Sequence, residues 1–580
     1  MNGFSEAERS RFGRAALAVA LGSCSWLAGC GADRGAPEPF RDVSAAAGLD
    51  FVHFNGMSGE LYFSEIVGSG GALVDYDDDG DLDLFLVQGS MQGAGKGLDE
   101  AVYPPRHEPP FADRLYRNDL GAGGADSDGI RLLDVTSSLP EGRDDYGMGV
   151  AAGDIDNDGD VDLYVTSLGP NRLLRNRGDG RFEDVTAPGV DDPRWSTSAS
   201  FADLDRDGRL DLFVTNYVDY RPDLGKECHA PDGSPDYCGP QSYPPETARL
   251  LRNLGDGRFV DRTLEAGIHT AAGAGLGVAA TDFDDDGWTD VYVANDQMAN
   301  HLWMNRGDGT FAEEGLERGA ALSMDGTAQA SMGLLAEDLD ADGDEDLFMT
   351  HLDGQTNTIY VNDGAGMFLD SSTLTGLGPP SIGFTGFGTS ALDVDLDGDL
   401  DLVVLNGAVK RLPRLVEAGD PYPLRQPDQL FRNLGEQRFE EVVPTPSALA
   451  EPDVGRGTAA GDVDNDGVVD LLLTNNSGPA QLLLTEAGDG HWLGLRLRVS
   501  GGADGAPGAR AELALGDRTV VRWARSDGSY LSASDHRVLF GAGGEEAARR
   551  LDVAWPGGRR TQWLEPPLDR YLVLVGDARN

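Results

Sequence analysis

The chain has 580 residues, with 46 Lys plus Arg against 99 Asp plus Glu and a net charge of −53. That balance excludes nucleic acid as a partner, because phosphate recognition needs Lys and Arg. The length exceeds one ordinary core, although a repeat architecture runs to several hundred residues as one domain.

Residues 1–30 read as an address and not as structure. Arg9, Arg11 and Arg14 precede an apolar run from Ala15 to Ala28, which is short for a membrane span. The run ends in Leu27-Ala28-Gly29-Cys30, which resembles a bacterial lipobox. Cys30 would then be the lipidated first residue after cleavage; an ordinary signal peptide with an incidental Cys is the alternative. Gly31 follows, not the Asp associated with inner-membrane retention, so the expected address is the outer membrane of a bacterial envelope. Residues 31–39 are a tether of at most about 30 Å.

From Phe40 onward the chain repeats itself. FRDVS (40–44) recurs as FEDVT (182–186), FVDRT (259–263), FAEEG (311–315), FLDSS (368–372) and FEEVV (439–443), with a looser copy in IRLLDVT (130–136). Seven copies of Asp-x-Asp-x-Asp-Gly-x-x-Asp are interleaved, their first aspartates 49 to 79 residues apart. The carboxylates fall in seven sets. The first four are Asp75, Asp77, Asp79, Asp83; Asp154, Asp156, Asp158, Asp162; Asp203, Asp205, Asp207, Asp211; and Asp282, Asp284, Asp286, Asp290. The last three are Asp338, Asp340, Asp342, Asp346; Asp393, Asp395, Asp397, Asp401; and Asp462, Asp464, Asp466, Asp470. They converge only if the backbone curls, and Gly at position 6 takes the positive φ that a curl requires. Hard oxygens in this number suit calcium, which accepts roughly six to eight, so up to seven calcium ions are expected. Position 7 varies freely, as it should if it offers only its backbone carbonyl.

Around the second loop the unit reads YGMGVAAGD (146–154), DLYVTS (162–167), LLRNRGDG (173–180) and RFEDVT (181–186). Alternation, β-branched residues and Gly-rich turns make these four strands. Four-stranded repeats of this kind read as propeller blades. The expectation is an all-β fold with a seven-bladed propeller over residues 40–490 and a small β-sandwich-like domain over 491–580. The seventh unit lacks its own fourth strand, since LLLTEAGDG (482–490) runs into a different pattern. FRDVS is expected to supply it and close the ring, removing two sheet edges; Trp492–Leu497 is the alternative.

Insertions at 89–114, 217–248 and 407–429 all fall between second and third strands, on the face opposite the aspartate loops. That face is the expected surface for a protein or glycan partner, with plain variable loops as the alternative. Tyr217, Tyr220, Tyr237 and Tyr243 give one insertion the profile of a rigid recognition loop. Cys228 and Cys238 in it suit a disulfide in an oxidising compartment, a metal site with His229 being the alternative. Thirteen residues after each first Asp stand Gln88, Ser167, Asn216, Asn295, His351, Asn406 and Asn475. They are strand-end caps or a hydrogen-bonding ring on the insertion face. Two Arg-Gly-Asp tripeptides (177–179 and 306–308) sit in strand-three to strand-four turns, where repeat chemistry accounts for them.

Residues 491–580 carry 13 Arg against 11 Asp plus Glu, a change of character that sets a boundary near Gly490. Such a domain could dock electrostatically on the acidic repeats. Arg525, Ser526, Asp527, Ser529, Tyr530, Ser532 and His536 read as a small-anion site or as polar turns. No catalytic constellation assembles. The eight histidines are dispersed without metal-ligand spacing, no Gly-x-Ser-x-Gly elbow occurs, and calcium consumes the acidic pairs a glycosidase would need.

GMGVAAGDID (147–156) and GFGTSALDVD (386–395) resemble the FG-GAP repeats of integrin-α-type propellers. HWLGLRLRVSG (491–501), GARAEL (508–513), RSDGSYLSASDHRVLFGAGG (525–544) and LDVAWPGGRRTQW (551–563) resemble the ASPIC/UnbV domain. That pairing is the architecture of the cartilage acidic protein family and its bacterial relatives. It implies an extracytoplasmic calcium-binding protein with binding or adhesive roles. The expected form is a monomeric envelope module that meets the membrane only through its N-terminal lipid. An envelope enzyme acting on polysaccharide or a small molecule at the insertion face is the second reading, and a structural subunit of an envelope complex the third.

Overall fold

The computed structural model describes residues 39–577 apart from 94, 107–110, 142–144, 223–224, 231–232, 443–446, 487, 489 and 501–504. The chain divides into residues 1–37 and a second unit, 38–580, which holds every described element. Cys30, the leader around it and the tether up to residue 38 therefore lie outside the described residues. Among the described residues no helix is long and apolar enough to cross a membrane.

In the second repeat Tyr146–Gly153, Asp162–Leu168, Arg172–Asn176 and Phe182–Asp184 pair antiparallel in that order. The first two strands are buried almost throughout, because neighbouring sheets cover both their faces. The fourth is three residues long and buries only Phe182, which suits a short outer edge. Seven such four-stranded meanders occur among the described residues. Their first strands touch in cyclic order, 71–74, 146–153, 196–202, 275–281, 334–337, 386–392, 455–461 and back to 71–74. An apolar core fills each gap between consecutive sheets. The molecule is an all-β propeller.

The sheet containing Gly455–Gly461, Asp470–Asn475 and Gln481–Thr485 takes its fourth strand from Phe40–Asp42, with Phe40 opposite Thr485 and Asp42 opposite Leu483. Phe40 enters the core on one side of this sheet and Val43 the core on the other, at 1% and 0% exposure. Trp492–Leu497 belongs instead to the strand His491–Ser500 of the C-terminal domain.

That domain packs two sheets around one core. Val538–Gly543, His491–Ser500 and Arg570–Asp577 form the first, and Arg518–Trp523, Arg510–Leu515, Ala548–Ala554 and Arg560–Leu564 the second. Between Trp523 and Val538 the chain leaves the domain and enters the axis of the ring. There it bonds to the innermost strand of every sheet. Ala533 exchanges bonds with Gly71 and Leu73, Leu531 O accepts from Val150 N, and Ser529 exchanges bonds with Leu334. Asp527 accepts from Ser200 Oγ and Ala280 N, Ser529 Oγ from Thr389 N, and Asp535 N donates to Ala460 O. Close approach explains glycines of the first strands: a Cβ on Gly149 would lie 2.8 Å from Leu531 O and one on Gly457 2.4 Å from Ser532 Oγ. The expectation that Arg525–His536 forms an anion site or mere turns is corrected here, because Arg525, Ser526, Asp527, Ser529 and Ser532 bond to inward strands of the propeller and Tyr530 to Val67 O.

Residues 53–67 and the insertions fill the axis from the opposite side. Arg456, fully buried, donates to the carbonyls of Ile66, Gly407 and Gly455 and lies 3.9 Å above the Phe387 ring. Burial pulls its pKa down to about 10, and carbonyl dipoles supply the compensation that a buried cation requires. Phe63 stacks on Tyr243 and meets Trp195 edge-on. Tyr217 and Tyr237 are 1% and 9% exposed. The expected display of insertion tyrosines is therefore corrected in part: these two rings are core, and Tyr220 and Tyr243 are half-buried against it.

Replacing Phe40 by Ala removes a side chain from between two sheets and should cost about 3–5 kcal/mol. Arg41→Ala, on the exposed side of the same strand with its partners Asp128 and Glu486, should cost under about 1 kcal/mol. Urea unfolding of both variants checks the contrast.

Candidate metal centres

The aspartate loops close by a shared set of hydrogen bonds, complete in the first four and the seventh, whereas in the fifth and sixth the first aspartate holds only the position-6 amide. In the first, Asp75 accepts from the amides of Asp79 and Gly80, and Asp79 from that of Asp81. Asp83 accepts from Tyr76 N at 3.1 Å and from Asn118 N at 2.8 Å. The second loop repeats the pattern with Asp154, Asp158 and Asp162. Position 6 is left-handed in all seven loops, with φ from 82° at Gly208 to 100° at Gly80. Position 4 is left-handed as well, at Asp78, Asn157, Arg206, Asp285, Ala341, Leu396 and Asn465, with φ between 52° and 63°. This second turn was not anticipated, and at Arg206, Ala341 and Leu396 it carries a steric cost of roughly 1–2 kcal/mol each.

The curl brings carboxylates together. Oxygens of Asp75, Asp77 and Asp83 lie within 4.8 Å of one another, as do those of Asp154, Asp156 and Asp162, and of Asp282, Asp284 and Asp290. Asp203, Asp205 and Asp207 gather in the same way, as do Asp338, Asp340 and Asp342. Position 9 thus joins the cluster in some loops and position 5 in others. The Oδ1 atoms of Asp77, Asp156, Asp205, Asp284, Asp338 and Asp393 are buried with no hydrogen-bond partner. Unpaired buried carboxylate oxygens around one point are what a hard cation would satisfy. Arg175 and Arg318, from third strands or a nearby turn, lie 3.8 Å and 3.1 Å from Asp156 and Asp284 and offset part of the surplus charge.

The sequence reading missed one recurrent residue of these centres, the Asn that ends the third strand. Its amide N–H donates to the position-9 carboxylate of its own loop, as Asn176 does to Asp162 and Asn253 to Asp211. Its side chain donates to the position-2 carbonyl of the preceding repeat. Asn176 reaches Tyr76 O at 2.7 Å, Asn253 reaches Ile155 O at 2.7 Å, and Asn118 reaches Val463 O across the closure. The signal was the repeated Asn before a Gly-containing turn, as in LLRNRGDG and LLRNLGDG. Thr485 takes this place in the seventh sheet and bonds within its own loop instead. Asn253→Ala should leave Ile155 O and Leu210 O unsatisfied and cost about 2–4 kcal/mol, read by chemical denaturation.

Burial raises the carboxyl pKa values at position 9 and at several position-1 aspartates, and repulsion between aspartates of one loop adds to it. Asp211, Asp290, Asp346 and Asp401 are pushed up to about 8, against the pull of their backbone N–H donors. At position 1, Asp203 and Asp282 rise to about 6 and Asp338 and Asp393 to about 7. A folded state that holds protons to higher pH than the unfolded chain loses stability as pH rises between the two pKa values. With cations removed, the melting temperature should therefore fall steadily from about pH 4, where unfolded Asp titrates, to pH 8. A scanning calorimetry series in chelator tests this, and a flat or rising profile would contradict it.

The aligned polar position resolves as caps. Asn295, Asn406 and Asn475 donate to the carbonyls of Ala299, Pro427 and Pro479, and all are 2% exposed or less. The alternative of a hydrogen-bonding ring open to a ligand is thereby corrected. Cys228 and Cys238 are bonded, with Cα atoms 5.2 Å apart, so no free thiolate remains for a metal site with His229. Buried His53 and His351 and half-buried His301, their pKa values lowered by desolvation to about 3, 4 and 4, are neutral at physiological pH.

Residues 154–214, 231–293, 282–333 and 338–404 match the FG-GAP-like repeat, and residues 500–580 match ASPIC and UnbV. The chain is thus a propeller of FG-GAP-like repeats carrying an ASPIC and UnbV region. It is related to cartilage acidic protein 1. Identity to the human protein is 26% over 440 residues, covering 72% of this chain and 61% of that protein. For the Xenopus tropicalis protein it is 27% over 451 residues, covering 72% and 62%. The match spans less than two thirds of these relatives. Among solved structures, the BP39L lectin from Burkholderia pseudomallei is 14% identical with a TM-score of 0.41, covering 73% of this chain and 98% of that one. A likeness at that level carries no argument about function.

Proposed function

We propose that the protein is a calcium-loaded interaction module of a bacterial cell envelope, held by lipid at Cys30 and acting by binding and not by turnover. The observation that carries this reading is the convergence of carboxylates in the aspartate loops, six of which hold a buried oxygen with no hydrogen-bond partner. The charge density suits a dication, the oxygen-only donor set suits calcium over a softer metal, and seven sites of equal skeleton suit a scaffold more than a single catalytic centre. The disulfide and the leader fit an oxidising compartment outside the cytoplasm. The partner, a protein or glycan, is assigned to the insertion face, where Tyr103, Tyr220 and Tyr243 remain partly accessible around a rigid aromatic core. The ring of caps and plugs beneath would hold that face in one shape, lowering the ordering cost of binding.

Chelator should lower the melting temperature and calcium restore it by mass action on the native state, with up to seven ions per chain by elemental analysis. Capture from envelope extracts should yield a partner in calcium but not in chelator. Melting indifferent to chelator, with no bound calcium, would refute the cation reading; turnover of a glycan in a substrate panel would favour the enzyme reading. Loss of lipid labelling in Cys30→Ser checks the anchor.

A further inference from the structure

The seven loops share one sequence skeleton but split into two classes where the C-terminal domain meets them. Three of its arginines donate to the carbonyl of a position-6 glycine: Arg496 to Gly80 at 2.7 Å, Arg510 to Gly343 at 3.1 Å and Arg522 to Gly398 at 2.9 Å. The same glycine of the seventh loop, Gly467, lies under the Trp492 ring. That loop is also held by Arg537, which donates to Asp462 O and Asn465 Oδ1, and by Tyr571, whose hydroxyl donates to Asp462 Oδ2 at 2.6 Å. Position 6 is accordingly buried or half-buried in the first, fifth, sixth and seventh loops, and exposed at Gly159, Gly208 and Gly287 in the other three. A Cβ added at Gly159 or Gly208 would meet nothing within 4 Å, and one at Gly287 only Arg206 of the neighbouring repeat.

Position 6 is where the curl is fixed. Its N–H is held by the first aspartate of the loop, and its carbonyl is turned outward by the left-handed φ. A donor on that carbonyl resists the uncurling through which the carboxylates must separate to release an ion. The guanidinium charge is compatible with a bound dication, because four carboxylates exceed its two charges and leave a net negative site. Resting on the cation reading above, we propose that the C-terminal domain is a latch over four of the seven centres. The first, fifth, sixth and seventh loops then hold slowly exchanging ions whose occupancy is coupled to domain docking, and the second, third and fourth exchange directly with solvent. Coupling of this kind is reciprocal: emptying the latched loops loosens the domain, and undocking the domain frees the ions.

The test is release of radioactive calcium from the full chain into excess chelator. The expected curve has two phases with amplitudes near four to three, following the division of the glycines, the slow one about tenfold slower or more, the effect of about 1.4 kcal/mol on the release barrier. Asp158→Asn, in an open loop, should remove amplitude from the fast phase only, and Asp397→Asn, in a latched loop, from the slow phase only. Arg510→Ala with Arg522→Ala should transfer about two ions from slow to fast while the total bound stays the same. Should a variant fail to fold, the curve of the unaltered chain decides. Ions leaving at one rate, or both Asp variants depleting the same phase, overturn the latch and leave the cation reading standing. A chain that binds no calcium overturns that reading, and the latch with it.

Discussion

Sheets set around an axis turn one strand edge each toward a common channel, and the backbone groups on those edges need partners. In this protein that constraint is met from outside the ring. Residues 524–537 of the C-terminal domain supply hydrogen bonds to the first strand of all seven sheets, and Arg456 satisfies carbonyls beyond the reach of that segment. An unpaired buried polar group costs about as much as a lost hydrogen bond or more, so ring and plug form one cooperative structure. The C-terminal domain is joined to the propeller by its own interior, and the arginine contacts on the loops follow from that placement.

Charge is organised by the same geometry. The strongly acidic chain gathers carboxylates at seven points, where burial and mutual repulsion hold protons unless a cation displaces them. Arginines approach these centres from two directions: from within the repeats, as Arg318 does on Asp284, and from the C-terminal domain, as Arg496 does on Asp75 at 3.4 Å. The near-neutral domain docks against four of the aspartate loops, and it does so through directed bonds to carbonyls more than through ion pairs. Directed bonds fix orientation, which diffuse attraction between exposed charges cannot do.

Much of this was legible in the sequence because it repeats. The seven loops, the strands flanking them and the closure by Phe40–Asp42 could all be read from residue spacing and from a fourth strand missing at one end and present at the other. The third-strand Asn was equally visible in LLRNRGDG and its relatives. Its role was not, because the carbonyl it binds belongs to the preceding repeat, 100 residues away for Asn176 and Tyr76.

Local pattern by itself determined the elements and their order: alternation made the strands, glycine at position 6 made the curls, and aspartate spacing made the centres. Tertiary structure decided which surfaces stay open. Tyr217 and Tyr237 looked like displayed residues until the axis drew them inside, and Arg525–His536 read as an anion site or polar turns until the ring required a plug. Seven loops that are one loop in sequence became two kinds in space, since a single domain of fewer than ninety described residues covers four of them and not seven. Covering depends on where a distant part of the chain comes to rest, and no periodicity within a repeat encodes that position.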